Sequence, residues 1–330
     1  MNKSFKALMV NKTDEEFSVQ IKEISLNDLY DGDVIIKVSF SSVNYKDGLA
    51  SIPNGKIVRS YPFIPGIDMA GTVVESKDPR FNEGDEVIAT SYGIGVSHYG
   101  GYSEYARIPA DWVVPLPDGL SLKEAMIYGT AGFTAALSVH RLEENGLSPE
   151  KGNVLVTGAT GGVGSLAIAI LAKRGYDVVA STGKKSEHSW LKELGAKEIL
   201  TREEVTEEKI KALDTQLWAG AVDPVGGKTL SSILSKTVYN GSVAVSGLTG
   251  GTDVPTTVFP FILRGINLLG IDSVYCPMEL RKIIWKRMAS DFKPNHLENI
   301  INKEVSLEEL PASLASILKG EARGRTIVKF

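Results

Sequence analysis

The segment Val154-Leu-Val-Thr-Gly158-Ala-Thr160-Gly161-Gly162-Val163-Gly164-Ser165-Leu-Ala-Ile-Ala limits what this chain can fold into more than any other. An apolar run that reads as a buried strand enters a glycine cluster and leaves as an apolar helix. Glycine is needed in such a turn because a Cβ would block both the tight reversal and the close approach of phosphate oxygens to the backbone. The helix that opens there presents free N–H groups and the positive end of its dipole, which suit a pyrophosphate. On its own the glycine spacing is weak evidence, and its surroundings decide what it means.

Those surroundings are an alternation of strands and helices. Strands are predicted over 153–157, 177–181, 198–201, 219–223, 242–246 and 267–271, with helical spacing between them, as in 165–174 and 228–234. Strands joined by crossovers of this length predict a parallel, doubly wound sheet, and the glycine turn falls at its first crossover. The residues before about 120 read differently. Short β-branched runs at 33–40, 71–75 and 85–89, separated by Gly, Pro, Asn and Asp, point to a β-rich unit with long loops. After Asp272 the alternation stops, and the tail carries amphipathic helices near 278–289 and 306–319 and a strand over 326–330. That last strand needs a partner sheet, and the N-terminal β unit is the one available. The expected organisation is therefore α/β, with a β-rich domain of residues 1–125 plus 273–330 and an inserted domain of residues 126–272. A length of 330 residues agrees with about two domains.

Composition narrows the class of protein. Hydrophobic residues make up 43% and charged residues 23%, which fits neither a disordered chain nor a membrane-embedded one. Thirty-six Lys and Arg against 40 Asp and Glu give a net charge of −4, which gives no reason to expect a nucleic-acid partner. The single cysteine, Cys276, excludes an internal disulfide and a four-cysteine zinc lobe. The segment from Met1 to Val10 lacks the apolar core of a secretory signal, and no run approaches the roughly 18 apolar residues of a membrane span. The expectation is a cytoplasmic protein with no membrane partner.

The end of the second predicted strand bears on the cofactor. In dinucleotide folds an acidic residue about 20 positions beyond the glycine turn binds the ribose hydroxyls of NAD, whereas a small hydroxyl residue with nearby cations suits the 2′-phosphate of NADP. Here the chain reads Ala180-Ser181-Thr182-Gly183-Lys184-Lys185, without a carboxylate. Ser181 and Thr182 offer hydroxyls, Gly183 lets the backbone approach, and Lys184 supplies charge. Lys185 is equally well a residue of a solvated turn. Arg202, just past the third strand, is either a further cation on the same sheet edge or an exposed arginine at a helix start. The reading is NADP(H), with the pyrophosphate on the turn at Thr160, Gly161, Gly162 and Val163.

Several further segments carry a family resemblance: Pro65-Gly66-Ile67-Asp68-Met-Ala-Gly71-Thr-Val73, Gly84-Asp-Glu-Val87, Gly100-Gly-Tyr102-Ser-Glu-Tyr-Ala106 and Tyr128-Gly129-Thr130-Ala-Gly-Phe-Thr134-Ala135. With the glycine turn, they run in the order of the medium-chain dehydrogenase/reductase superfamily over nearly the whole chain. Asn44-Tyr45-Lys46-Asp47 and Ser181-Thr182-Gly183-Lys184 resemble its YhdH/YhfP group of quinone-oxidoreductase-like and acrylyl-CoA-reductase proteins. The resemblance implies a GroES-like β domain around a Rossmann domain, an active site in the cleft between the two, and a homodimer.

The chain also departs from its zinc-dependent relatives. They have His-Glu where this chain has Ile67-Asp68, and a cysteine ligand near Asn44. The four histidines, His98, His140, His188 and His296, show no metal-ligand spacing and read as satisfied or exposed structural residues, so no metal is expected. Alcohol oxidation needs an alkoxide stabilised, as zinc does. Hydride addition to an activated C=C needs less: hydrogen-bond donors stabilise the charge on the conjugated oxygen, and a proton source completes the reduction. The resemblance therefore implies an NADPH-dependent reductase of an activated alkene, an enoyl-CoA such as acrylyl-CoA, or a quinone.

Tyr45 follows a strand in a loop, where a phenol either packs on the cofactor, bonds to it or relays a proton, or belongs to the β core. By resemblance it contacts NADP, which makes cofactor contact its first role and chemistry its second. Asn44 and Asp47 flank it as orienting or acid/base groups, although Asp47 equally suits the cap of a helix beginning at Gly48. The resemblance also places Leu248, Asp272 and Ser273 near the nicotinamide and brings Arg323 and Arg325 in from the tail. Lys56 and Arg59 are candidates for the phosphates of a coenzyme A substrate, or are simply solvated. Asp223-Pro-Val-Gly-Gly227 reads as a structural turn. The competing function is a non-catalytic NADPH-binding sensor or structural protein. A Rossmann-like methyltransferase is disfavoured by the basic end of the second strand.

Overall fold

The computed structural model describes residues 4–330, so the first three residues of the amino-terminal segment read above lie outside it. The chain divides into two compact units, one comprising the residues up to Thr130 with Val274–Ile283 and Ile301–Phe330, the other Ala131–Ser273 with Ile284–Ile300.

In the first unit β1 (Ser4–Lys12) and β2 (Phe17–Ser25) form an antiparallel ribbon. A larger sheet is built from β3 (Val34–Ser42), β4 (Asp68–Ser76), β5 (Glu86–Thr90), β6 (Tyr105–Ile108) and β7 (Val113–Pro115). The second unit supplies β8 (Val154–Val156), β9 (Val178–Ser181), β10 (Ala196–Leu200), β11 (Trp218–Asp223), β12 (Thr237–Val245) and β13 (Asn267–Gly270). The chain then returns through β14 (Ile301–Val305) and β15 (Arg325–Lys329).

β15 pairs antiparallel with β3, Ile327 opposite Ser42, in the order β14-β15-β3-β4-β5-β7, and β6 also pairs with β3. The last strand thus completes the sheet begun by residues near position 34. Val34, Ile36 and Val38 of β3 pack with Met69, Val73, Val87 and Ala89 in one apolar cluster. Each such side chain contributes roughly 1.5–3 kcal/mol by leaving water.

The second unit is a parallel sheet in the order β10-β9-β8-β11-β12-β13. This is the doubly wound order, whose direction reverses between β8 and β11, and ligands of such sheets sit at the carboxyl ends of the strands beside that reversal. β8 and β11 are buried along their whole lengths, as continuous apolar runs in parallel sheets should be. Leu155, Val179, Ala221 and Val243 share a core with Leu230, Ile233 and Leu234.

The helices are α1 (Tyr45–Ala50), α2 (Leu122–Glu144, interrupted at Gly129), α3 (Gly162–Lys173), α4 (His188–Glu193), α5 (Arg202–Val205), α6 (Gly227–Lys236), α7 (Phe259–Arg264), α8 (Met278–Met288) and α9 (Leu310–Leu318). Among the described residues no helix is long and apolar enough to cross a membrane. Several expected boundaries move. α1 begins at Tyr45, not Gly48, because Asn44 is its N-cap and Asp47, three residues on, accepts from the Asn44 backbone N–H at 2.9 Å. α9 begins four residues later than expected, because Ser306 and Glu309 bond each other's backbone N–H groups ahead of the helix and Pro311 suits its first turn. β12 begins five residues earlier than expected, and its Thr237 lies opposite Trp218 of β11.

Candidate functional site

In the second unit the glycine turn leaves β8 and opens α3. Gly158 has φ 54°, and its carbonyl oxygen would lie 2.4 Å from a Cβ at Gly164, so any larger residue at 164 pushes the helix off the turn. The Ala159 N–H donates to the Ser181 carbonyl at 3.2 Å, tying the turn to the end of β9. No side-chain cap hydrogen bond forms at Gly161, the N-cap of α3, so the first amides of that helix, at Gly162 and Val163, are presented without one. Thr160, just before them, is buried.

The end of β9 holds the polar group expected there. Ser181 and Thr182 are both buried, Thr182 Oγ1 accepts from the Lys184 N–H at 3.0 Å, and the Thr182 N–H donates to the Leu200 carbonyl. Arg202, the first residue of α5, folds back over Gly183: a Cβ on Gly183 would meet its Nε at 3.2 Å. This places the guanidinium beside the Ser181–Lys184 turn. Asp223 forms a structural turn, its buried carboxylate accepting from Thr157 Oγ1 and from the N–H groups of Val225 and Gly226. Leu248 is exposed beyond β12, Asp272 is exposed beyond β13, and buried Ser273 accepts from Thr134 Oγ1 at 2.8 Å.

The first unit carries a different kind of cluster. Asp68, at the start of β4, is completely buried, and its carboxylate accepts from Ser42 Oγ at 2.6 Å, Asn44 Nδ2 at 2.8 Å, and the N–H and Oγ1 of Thr130. Asp47 is also fully buried, and its carboxylate accepts from Asn44 and from the Ile67 N–H at 2.9 Å. Arg325 is the cation of the cluster: it donates to the carbonyls of Ile127 and Val43, to Asn44 Oδ1 and to Ser42 Oγ, and stands 3.8 Å from Asp68. Tyr45, by contrast, is 51% exposed at the start of α1 and does not belong to the β core.

Arg325, expected beside a cofactor, is only 2% exposed, and its donors face the cluster. Sequence reasoning passed over Asp68, Ser42 and Thr130 as site residues. One signal was present: a carboxylate opening the apolar run Met69-Ala-Gly-Thr-Val-Val74 demands a buried partner. Lys56 and Arg59 are exposed. Of the histidines, His98 bonds the Arg107 carbonyl, His140 meets Arg287, and His296 is exposed. His188 fits neither expectation, since its Nε2 is buried without a hydrogen-bond partner.

Burial, and then the neighbouring Asp68, push the Asp47 carboxyl up to about 7 from an ordinary 3.8. A carboxyl raised in the fold favours folding while it is protonated, and that contribution is lost as pH rises from the ordinary value through about 7. Thermal stability should therefore fall between about pH 4 and about pH 7 and level off above that, with a limiting slope of about 1.4 kcal/mol per pH unit from this one group. In Asp47→Asn the slope should flatten whatever the absolute melting temperature, and scanning calorimetry across that range checks it. An equal slope in both proteins would assign the pH dependence elsewhere.

Residues 30–118 match the alcohol dehydrogenase GroES-like domain family, and residues 162–290 match the zinc-binding dehydrogenase family. The chain is 64% identical to the putative quinone oxidoreductase YhfP of Bacillus subtilis over 330 residues, 100% of both chains. It belongs to the medium-chain dehydrogenase/reductase family. It is an oxidoreductase of the quinone-oxidoreductase-like branch, with a GroES-like domain and a Rossmann domain. The acrylyl-CoA reductase AcuI of Ruegeria pomeroyi is 50% identical over 98% of each chain. The crystal structure of yhfP with NAD bound matches with a TM-score of 0.98 over 99% of this chain and 100% of that one. The yhdH oxidoreductase of Salmonella enterica in complex with NADP matches with 0.95, at 47% identity, over 98% and 99%.

A family described by zinc raises the question of which residues stand where a metal would be held. Among the described residues no three His, Cys, Asp or Glu side chains are grouped to hold an ion. Asn44 and Asp68 are hydrogen-bonded to each other, and the charge opposite Asp68 is the Arg325 guanidinium.

Proposed function

We propose that this protein is an NADPH-dependent reductase that adds hydride, without a metal ion, to an activated carbon–carbon double bond or a quinone, with an acrylyl-CoA-like thioester as the representative alkene. The observation that carries the reading is the end of β9, where Ser181, Thr182, Gly183 and Lys184 are joined by the Arg202 guanidinium and no carboxylate takes the place of an NAD-type acid. The relatives were crystallised with NAD in one case and NADP in the other, so this chain's own residues make the choice.

In this reading residues 126–272 bind the cofactor, while 1–125 and 273–330 supply the GroES-like catalytic part. The N–H groups around Thr160, Gly161, Gly162 and Val163 hold the pyrophosphate at the amino end of α3. Ser181, Thr182 and Lys184 hold the 2′-phosphate with Arg202, and the Gly183 backbone lies against it. Leu248, Asp272 and Ser273 follow strand ends on the nicotinamide side. When bound, NADPH supplies the hydride, and negative charge builds up on the substrate's conjugated oxygen. The exposed phenol of Tyr45 packs on the cofactor and offers a donor, while Asn44 and Asp47 orient it.

Steady-state NADPH oxidation with acrylyl-CoA and with simple quinones tests the proposal. Turnover of at least one class, undiminished by a chelator, is the expected result. NADPH binding with no turnover of either would leave a sensor or structural protein. Loss of activity to the chelator and recovery with zinc would sink the metal-free mechanism.

The same reading includes a homodimer. β13 ends its sheet with only β12 beside it, and Val258, Phe259, Ile262, Leu263 and Leu268 on and near it are exposed. An open strand edge flanked by such an apolar surface suits a second copy of the chain. Sedimentation should give twice the chain mass for the parent and the chain mass for Ile262→Asp with Leu268→Lys. A monomeric parent would rule the dimer out.

A further inference from the structure

The buried charges of the first unit converge on one short stretch of chain. The carboxamide of Asn44 is fixed at both ends: Nδ2 donates to Asp68 at 2.8 Å and to Asp47 at 3.1 Å, while Oδ1 accepts from Arg325 Nη1 at 3.3 Å. The same Nη1 donates to the Val43 carbonyl at 3.2 Å. Arg325 Nη2 donates to Ser42 Oγ at 2.7 Å, and that hydroxyl in turn donates to Asp68 at 2.6 Å. The backbone adds a further tie, Val43 N–H to the Thr326 carbonyl at 3.0 Å.

Tyr45 comes next in the chain, and half of its surface is open to solvent. Packing of its own ring therefore cannot fix it, and its place depends on the backbone at 43 and 44. A buried ion pair is a poor way to gain stability, since apolar residues of similar volume usually do as well or better. What this pair gains is direction. Toward the Asn44 side chain, the two carboxylates can accept only from its amide nitrogen and the guanidinium can donate only to its amide oxygen, so the carboxamide has one orientation.

We propose that Arg325 and Asp68 are positioning residues: linked through Ser42, they fix the Asn44 carboxamide and thereby the place of the Tyr45 phenol during reduction. The proposal rests on the reductase reading above, in which that phenol contacts the cofactor. Asp47 completes the cluster from the other side of Asn44, and the buried Tyr102 hydroxyl, which donates to the Ser42 carbonyl at 3.2 Å, closes it.

The test compares the parent with Arg325→Met, Arg325→Lys and Ser42→Ala, measuring kcat, KM, the NADPH dissociation constant and hydrogen exchange of the amides of residues 44–48. In Arg325→Met kcat should fall about 10- to 100-fold, the size of a lost hydrogen bond to a charged group. NADPH affinity should move by less than about threefold, because the phosphate-binding residues share no partner with Arg325. Exchange at 44–48 should accelerate, and Arg325→Lys should restore part of kcat and slow the exchange again. Ser42→Ala removes only a hydroxyl and should show a smaller loss of the same kind, which keeps the test decisive if Arg325→Met does not fold.

Unchanged kcat and unchanged exchange in Ser42→Ala and Arg325→Met overturn the proposal. So does a loss confined to NADPH affinity. A parent that binds NADPH but reduces nothing defeats the reductase reading, and this proposal with it. A parent that turns over while the variants match it defeats this proposal alone.

Discussion

Replacing Ser181 with aspartate is expected to turn the protein away from NADPH and toward NADH. Ser181 is buried at the carboxyl end of β9, and the Arg202 guanidinium lies over the neighbouring Gly183. A carboxylate at 181 would face the doubly charged 2′-phosphate at close range and would also pair with the cations that should hold it. Two lost charge-assisted hydrogen bonds, before any repulsion is counted, amount to about 3 kcal/mol, or roughly a 100-fold weaker NADPH complex. NADH lacks the phosphate, and its ribose hydroxyls can donate to the new carboxylate, so its affinity should hold or improve. Fluorescence titration of both cofactors against Ser181→Asp and Arg202→Ala decides the matter. Arg202→Ala should weaken NADPH by about tenfold and leave NADH alone. NADPH affinity within about threefold of the parent in both variants would remove these residues from the phosphate site.

Gly129→Ala should be the most damaging single-methyl change in the first unit. Gly129 interrupts α2 with φ 50° and ψ −155°, a region open only to glycine. Its missing Cβ would stand 2.5 Å from Asp68 Oδ2, 2.6 Å from Ser42 Oγ and 2.7 Å from Arg325 Nη2. These three atoms are hydrogen-bonded within the buried cluster and cannot move apart without leaving a charge unpaired. Backbone strain and overpacking together predict a loss of about 3–5 kcal/mol. Gly320→Ala is the control: its φ is also positive, at 71°, but nothing lies within 4 Å of the added carbon, so only about 1 kcal/mol of strain is expected. Thermal unfolding of the two variants side by side gives the comparison. Equal melting temperatures would mean that the cluster yields to a methyl group and holds nothing in place. That result would also weaken the case for Arg325 and Asp68 as positioning residues.

The two regions differ in how far the sequence alone could go. The parallel sheet and the glycine turn were legible because their causes are local. β8 needs an unbroken apolar run, Gly158 needs a positive φ, and Gly164 needs to be without a side chain six residues later in the same turn. The hydroxyls at 181 and 182 follow at a spacing set by one helix and one strand. Each of these constraints acts over at most about 30 residues, the length of a single strand–helix–strand unit.

The cluster around Asn44 was legible only in part. Asn44, Tyr45 and Asp47 stand together in the chain, but the partners that define Asn44 and Asp47 lie at 67, 68 and 325. Arg325 read from the sequence as a cation approaching a cofactor, and the fold turns its donors onto the buried cluster. Nothing near Arg325 in the chain specifies this. It follows from the antiparallel pairing of β15 with β3, which sets Ile327 opposite Ser42. The sequence by itself thus determined the parallel sheet, its glycine turn and the hydroxyl-rich, acid-free end of its second strand, because helix and strand periods and glycine stereochemistry are properties of short segments. Only the tertiary structure decided which charges are paired and which side chain meets which, because burying a guanidinium with two carboxylates depends on strands nearly 300 residues apart in sequence meeting in one sheet.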